Sequence, residues 1–195
     1  MRTTRIQQQT SETDILAELN LDGSGKTEIS TGIGFLDHML HHLAFHGMLD
    51  LTLKATGDLD VDAHHTIEDC ALVLGEAFNK ALKDRAGIVR VGSAFVPMDE
   101  ALAEVVLDFS GRPYCVMDAE FNAPMLGAFP TDMIEHFFQS LAATARLTIH
   151  ARVLYGRNDH HKAEALFKAL GRAIRQAVEL DKRRGQAIPS TKGVL

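Results

Sequence analysis

The sequence predicts an α+β fold built as two similar halves, each a small β-sheet with helices on one face. Two observations carry this. The chain repeats its own motifs in one order, and within each half the hydrophobic period switches between two and three-to-four. With 195 residues, 46% hydrophobic and 24% charged, the chain is long and apolar enough to bury a core.

The repeat has four anchors. Glu18-Leu19-Asn20-Leu21-Asp22-Gly23-Ser24-Gly25 aligns with Glu104-Val105-Val106-Leu107-Asp108-Phe109-Ser110-Gly111. Phe35-Leu36-Asp37-His38-Met39-Leu40 aligns with Met133-Ile134-Glu135-His136-Phe137-Phe138, and Leu51-Thr52-Leu53 with Leu147-Thr148-Ile149. Finally His64-His65-Thr66-Ile67-Glu68 aligns with His160-His161-Lys162-Ala163-Glu164. The period is too long for a solenoid, so this is a duplication, with halves at 1–92 and 93–195.

Taken in order, Ile15, Ala17, Leu19 and Leu21 alternate with polar residues, which predicts a half-buried strand ended by Gly23-Ser24-Gly25. Residues 35–45 turn helical and 49–55 return to strand. Ile67, Ala71, Leu74, Phe78 and Leu82 then recur at helical spacing, a helix expected to end at Gly87. The second half repeats the pattern. Strands are expected at about 101–109 and 114–121, a helix at about 132–143 and a strand at about 147–154. A final helix carries Leu166, Leu170, Ala173 and Ala177 on one face. Strands and helices at this spacing form sheets covered on one side.

The charge balance, 20 Lys+Arg against 26 Asp+Glu, argues against a nucleic-acid or anionic-membrane surface. No apolar run reaches membrane-spanning length and the start has no signal core, so a soluble, cytoplasmic protein is expected. Cys70 and Cys115 lie in apolar runs and read as buried thiols rather than a disulfide framework.

Ten histidines are the compositional anomaly. In His-His-x-x-Glu at a helix start, the histidine four residues before the glutamate shares its face, and the next nearly does. Adjacent histidines diverge by about 100° around a helix axis, so they serve different metal ions more easily than one. Imidazole with one carboxylate suits Mn, Fe, Ni or Zn better than Ca or Mg. His64, His65 and Glu68 form one set and His160, His161 and Glu164 the other, while His38 and His136 share a repeat position. Together they give two sites of three His and one Glu, with coordination positions left open for substrate. Asp37 and Glu135 stand where they could hold a ligand ring, or could be solvated carboxylates at a helix start. His41, His42, His46 and His150 read as ordinary surface or hydrogen-bonded histidines.

Gly32-Ile33-Gly34-Phe35-Leu36-Asp37-His38-Met39-Leu40-His41, the two HHxxE segments, Ser110-Gly111-Arg112-Pro113 and Pro189-Ser190-Thr191-Lys192-Gly193 together resemble the imidazoleglycerol-phosphate dehydratases. The resemblance runs from about residue 5 to 195. It implies a hydro-lyase of histidine biosynthesis that converts D-erythro-imidazole glycerol phosphate to imidazole acetol phosphate and water. It further implies two Mn²⁺ per active site, halves similar to the second domain of ribosomal protein S5, and an octahedral homo-oligomer of 24 subunits with sites at subunit interfaces.

The implied chemistry accounts for the residue types. The proton on the carbon beside the ring is not acidic, so an electron sink is needed. Metals that hold the substrate imidazole as imidazolate would let it expel the neighbouring hydroxyl through a diazafulvene-like intermediate, and a positioned side chain would transfer protons. By resemblance that side chain is Glu12. By resemblance Arg90, Arg112, Lys168, Ser190, Thr191 and Lys192 bind the phosphate, which suits arginine's planar fork and a charged, hydroxyl-rich turn. Two residues depart from the family pattern: His42 stands where Gln is expected, and Ala63 where an acidic residue is expected. The rival readings are a di-metal hydrolase, for which bridging carboxylates are lacking, and a metal-storage shell, which leaves the phosphate-ready cations unexplained.

Overall fold

The computed structural model describes residues 2–195. The first half runs β1 (Thr3–Gln9), β2 (Thr13–Asn20), β3 (Thr27–Ser30), α1 (Gly34–Gly47), β4 (Asp50–Gly57) and α2 (His64–Leu82). The second runs β5 (Val91–Met98), β6 (Ala101–Asp108) and β7 (Tyr114–Asp118), then the small hairpin of β8 (Met125–Leu126) and β9 (Phe129–Pro130). It continues with α3 (Asp132–Ala145), β10 (Thr148–Tyr155) and α4 (Asp159–Val178). The two main sheets have the same topology, β1-β2-β4-β3 and β5-β6-β10-β7. In each, β3/β4 and β7/β10 are parallel and the other pairs antiparallel. The fold is therefore a duplicated α+β arrangement. Because β5 starts at Val91, a division at 92/93 falls inside that strand.

Besides the two-residue β8 and β9, three strands of the main sheets escape the sequence patterns: β1, β3 and β5. These three main-sheet strands all lie at sheet edges. β1 buries only Ile6, β3 buries none of its residues, and β5 carries Gly92 and Pro97. An edge strand pairs on one side only, so it tolerates proline and needs little apolar alternation. The helix expected to reach Gly87 ends at Leu82, where Lys83 takes a positive φ of 53°.

The strand ladders also correct the repeat register. Leu19 pairs with Leu51, and Leu107 with Ile149. The two strands that follow the first helix of each half begin alike, with Leu49 N–H on Ala44 O and Leu147 N–H on Ala142 O. Leu51 therefore matches Ile149 rather than Leu147, and Glu18 matches Val106 rather than Glu104. Both sequence alignments were off by two residues. A slip of two leaves every side chain on its original sheet face, so alternation cannot detect it.

The helices of one half pack on those of the other: α1 lies against α4 and α2 against α3. Two glycines permit this. A Cβ on Gly75 would stand 2.6 Å from Leu141 O and 2.9 Å from Ala145 N, and one on Gly171 would stand 2.3 Å from Leu43 O. Such backbone-to-backbone approach excludes any larger residue. The interface is filled by fully buried Phe137, Phe138 and Phe167, whose ring centroids lie 5.2–6.2 Å apart. One continuous core results, with the outer sheet faces left exposed.

Candidate active site

Both HHxxE helices start on an Asx turn. Asp62 Oδ1 accepts the His64 N–H at 2.7 Å, and Asn158 Oδ1 accepts those of His160 and His161 at 2.9 and 3.3 Å. This occupies otherwise unpaired donors and fixes each histidine pair at the first helical turn. Because α1 crosses α4, His38 reaches the second half's motif. Because α2 crosses α3, His136 reaches the first half's.

Two groups form as a result. His38 Nε2 and His160 Nε2 both point at Glu164 Oε2, at 3.2 and 3.1 Å. His64 Nε2 and His136 Nε2 both point at Glu68 Oε2, at 3.4 and 3.3 Å. In each group the three donor atoms lie within 4.8 Å of one another, close enough for one ion. Each site thus mixes the halves within one chain. His136 Nε2 is buried with no hydrogen-bond partner among the described residues, which leaves its lone pair available to a cation. Two imidazoles and one carboxylate fit a first-row transition metal with positions to spare.

The other members of the expected ligand sets, His65 and His161, stand outside these groups. His65 Nδ1 lies 3.0 Å from Asp58 Oδ2 and 3.9 Å from Glu12 Oε2, and His161 Nδ1 lies 2.7 Å from Glu100 Oε2. These carboxylates hold both rings above the ordinary histidine pKa. Each chain-internal group therefore has two histidines where three were expected. Asp37 does not hold a ligand ring, since its Oδ1 accepts Thr31 N–H and Oγ1–H instead. Glu135 accepts from Gln139.

The groups differ in what surrounds their glutamate. Glu68 is one-third exposed, whereas Glu164 is buried beside Lys168 Nζ at 2.5 Å and His42 Nε2 at 3.3 Å, both on Oε1. Burial alone would raise the Glu164 carboxyl, but Lys168 and the neighbouring rings bring it down to about 2. Burial pushes His42 down to about 4, so that ring is neutral at pH 7. His42 was missed as a site residue. Its signal was its spacing, one helical turn after His38 on the same face.

Asp159 corresponds by repeat to Ala63. Its Oδ2 accepts the N–H groups of Asn122 and Ala123, and its Oδ1 takes Lys162 Nζ at 2.8 Å. It anchors the segment 119–131, which the first half lacks, having only 31–33 at that place. The Asn122 and Ala123 N–H groups that Asp159 holds belong to that segment, so they have no equivalent beside Ala63.

Arg90, Arg112, Ser190, Thr191 and Lys192 line one open cleft of about 520 Å³ with Ser110 and Gly111. Arg90 is already held there, its guanidinium on Asp108 at 2.6 and 2.9 Å and its Nη1 donating to Pro189 O at 2.8 Å. Lys168 lies elsewhere, on Glu164. Glu12, half-exposed on the β1–β2 turn, has no hydrogen bond to its carboxylate among the described residues.

Residues 31–174 match the family model for imidazoleglycerol-phosphate dehydratase. The chain belongs to the imidazoleglycerol-phosphate dehydratase family. Membership makes it a hydro-lyase. The family enzyme of Roseiflexus sp. (strain RS-1) is 60% identical over 194 residues, covering 100% of this chain and 98% of the relative. The solved family structure from Staphylococcus aureus subsp. aureus N315 has a TM-score of 0.82 at 38% identity, over 91% of this chain and 100% of that one. The structure from Pyrococcus furiosus, in complex with (S)-C348, has a TM-score of 0.84 at 38% identity, over 97% and 100%.

Proposed function

We propose that this chain dehydrates D-erythro-imidazole glycerol phosphate to imidazole acetol phosphate in histidine biosynthesis, in the cytoplasm, with two Mn²⁺ per active site. The observation that carries the metal part is the convergence of His38 and His160 on Glu164, and of His64 and His136 on Glu68. Bound there, the metals would supply Lewis acidity that favours the imidazolate form of the substrate ring.

The chain's own residues do the rest. Arg112, Ser190, Thr191 and Lys192 bind the phosphate, with the guanidinium fork and the turn donors facing one cleft. Arg90, braced by Asp108 and bonded to the Pro189 carbonyl, adds charge and keeps the tail over that cleft. Glu12, unengaged and solvent-facing, accepts the carbon-bound proton and returns one to the substrate. Lys168 fixes and ionises Glu164 in its own chain. Its part in phosphate binding, implied by the resemblance, then falls in another copy's cleft.

His65 and His161 stand outside both groups of their own chain, each ring held at Nδ1 by a carboxylate. They complete the sites of neighbouring copies, each adding the third imidazole. The active sites therefore lie between subunits of a large homo-oligomer, as the family resemblance implies.

The decisive experiment is dehydration of imidazole glycerol phosphate by metal-stripped protein, before and after Mn²⁺ is restored. Activity should vanish and return. Stoichiometric metal uptake without imidazole acetol phosphate would remove the substrate assignment. Full activity in the stripped protein would remove the metal.

A further inference from the structure

The corrected repeat register places Glu12 and Glu100 at one position in the two halves. The β1–β2 hairpin pairs Gln9 with Asp14 and the β5–β6 hairpin pairs Pro97 with Leu102, so each glutamate stands two residues before the second member of the matching pair. Their surroundings are opposite. Glu100 is fully engaged: Oε1 accepts the N–H groups of Arg157 and Asn158 at 3.0 and 2.7 Å, and Oε2 meets His161 Nδ1 at 2.7 Å. Glu12 stays 3.9 Å from His65 Nδ1, and Asp58 occupies that ring at 3.0 Å instead. The second half has no counterpart to Asp58, because the connection before α4 is Gly156-Arg157-Asn158, without a carboxylate.

From this we infer a division of labour between the halves, resting on the metal-dependent reading above. Glu100 and Asp58 are positioning residues that accept the Nδ1–H of His161 and His65 and so turn each Nε2 outward as the ligand nitrogen. Asp58 thereby releases Glu12, the repeat mate of Glu100, to transfer protons. A histidine that gives Nδ1–H to a carboxylate is fixed in tautomer and ring orientation and made a better donor at Nε2. The duplication thus supplies two equivalent hairpin glutamates, and the presence or absence of an aspartate in the following connection decides which one is free to react.

The test is Mn²⁺ titration of metal-stripped full-length assembly, followed by electron paramagnetic resonance of the free ion, for wild type, Glu100→Ala, Glu100→Gln, Asp58→Asn and Glu12→Gln. Glu100→Ala should weaken one of two classes of site about 10- to 100-fold, the usual effect of losing such a partner, and leave the other class at wild-type affinity. Glu100→Gln should lose less, because its amide oxygen still accepts Nδ1–H. Asp58→Asn should weaken the opposite class. Glu12→Gln should bind both ions as wild type while kcat collapses, which a shared structural role would not produce. Wild-type affinity and stoichiometry in Glu100→Ala overturns the inference, and if that variant does not fold, the same result in Glu100→Gln does so. Equal metal loss in Glu12→Gln also overturns it. A wild-type chain that takes up no Mn²⁺ at all refutes the metal reading, and this inference falls with it.

Discussion

At the residue scale, carboxylates in this chain act mostly on backbone and rings close to them. Asp50 is an example away from the active site. Its Oδ1 accepts the N–H groups of Ser24 and Lys26 at 2.7 and 3.1 Å, closing the turn after β2. The Ser24 N–H, more than burial opposes, holds this carboxyl below the ordinary aspartate value of 3.8. A depressed carboxyl contributes stability that is fully present above its unfolded pKa and is lost as pH falls through the lower folded value. Asp50→Asn should therefore lower stability at pH 7 by about 1 kcal/mol, since an amide oxygen still accepts but without charge. It should also flatten the acid limb of the stability curve. Urea midpoints at pH 7 and at pH 3 measure both, and a variant whose acid limb matches wild type would show that Asp50 is not a source of that dependence.

At the level of helices, the two crossings α1–α4 and α2–α3 bring ligands from different halves together. Gly171 and Gly75 set the spacing, each facing backbone of the opposing helix. A methyl group there meets atoms that cannot rotate away, so Gly171→Ala or Gly75→Ala should destabilise by about 1–3 kcal/mol. The Nε2 atoms of His38 or His136 should also move from their glutamates, weakening metal binding in the same variant. Gly34→Ala is the control, since nothing lies within 4 Å of its Cβ position. Thermal unfolding midpoints of the three proteins decide this. A Gly171→Ala protein as stable as Gly34→Ala would mean that the crossing has slack.

For the whole molecule, the helices cover one face of each sheet and leave the other exposed. On that outer surface and its rims Phe95, Tyr114 and Tyr155 are 58%, 65% and 62% exposed. Exposed aromatic side chains of this size are surface that a neighbouring copy would cover. His65 and His161, outside both groups of their own chain, point to self-association as well. Light scattering should accordingly give a particle many times the 21.4 kDa chain. A 21.4 kDa monomer with full activity would contradict sites shared between copies. Among the described residues no helix is long and apolar enough to cross a membrane.

The sequence alone determined the secondary structure of the central strands and the helices, the duplication, and six side chains, among the eight expected as metal ligands, that the fold gathers into two His-His-Glu groups. These are properties of local period and residue type: alternation marks a strand buried on one face, and His-His-x-x-Glu marks a helical face whatever lies opposite. It could not reveal β1, β3 and β5, because edge strands carry little apolar pattern. It could not fix the repeat register either, because a two-residue slip preserves every sheet face, and that slip hid Glu100 behind Met98 as the apparent mate of Glu12. Tertiary structure decided which histidine meets which glutamate. His38 lies far along the chain from Glu164, and only the close crossing of α1 on α4, permitted by Gly171, puts the two 3.2 Å apart.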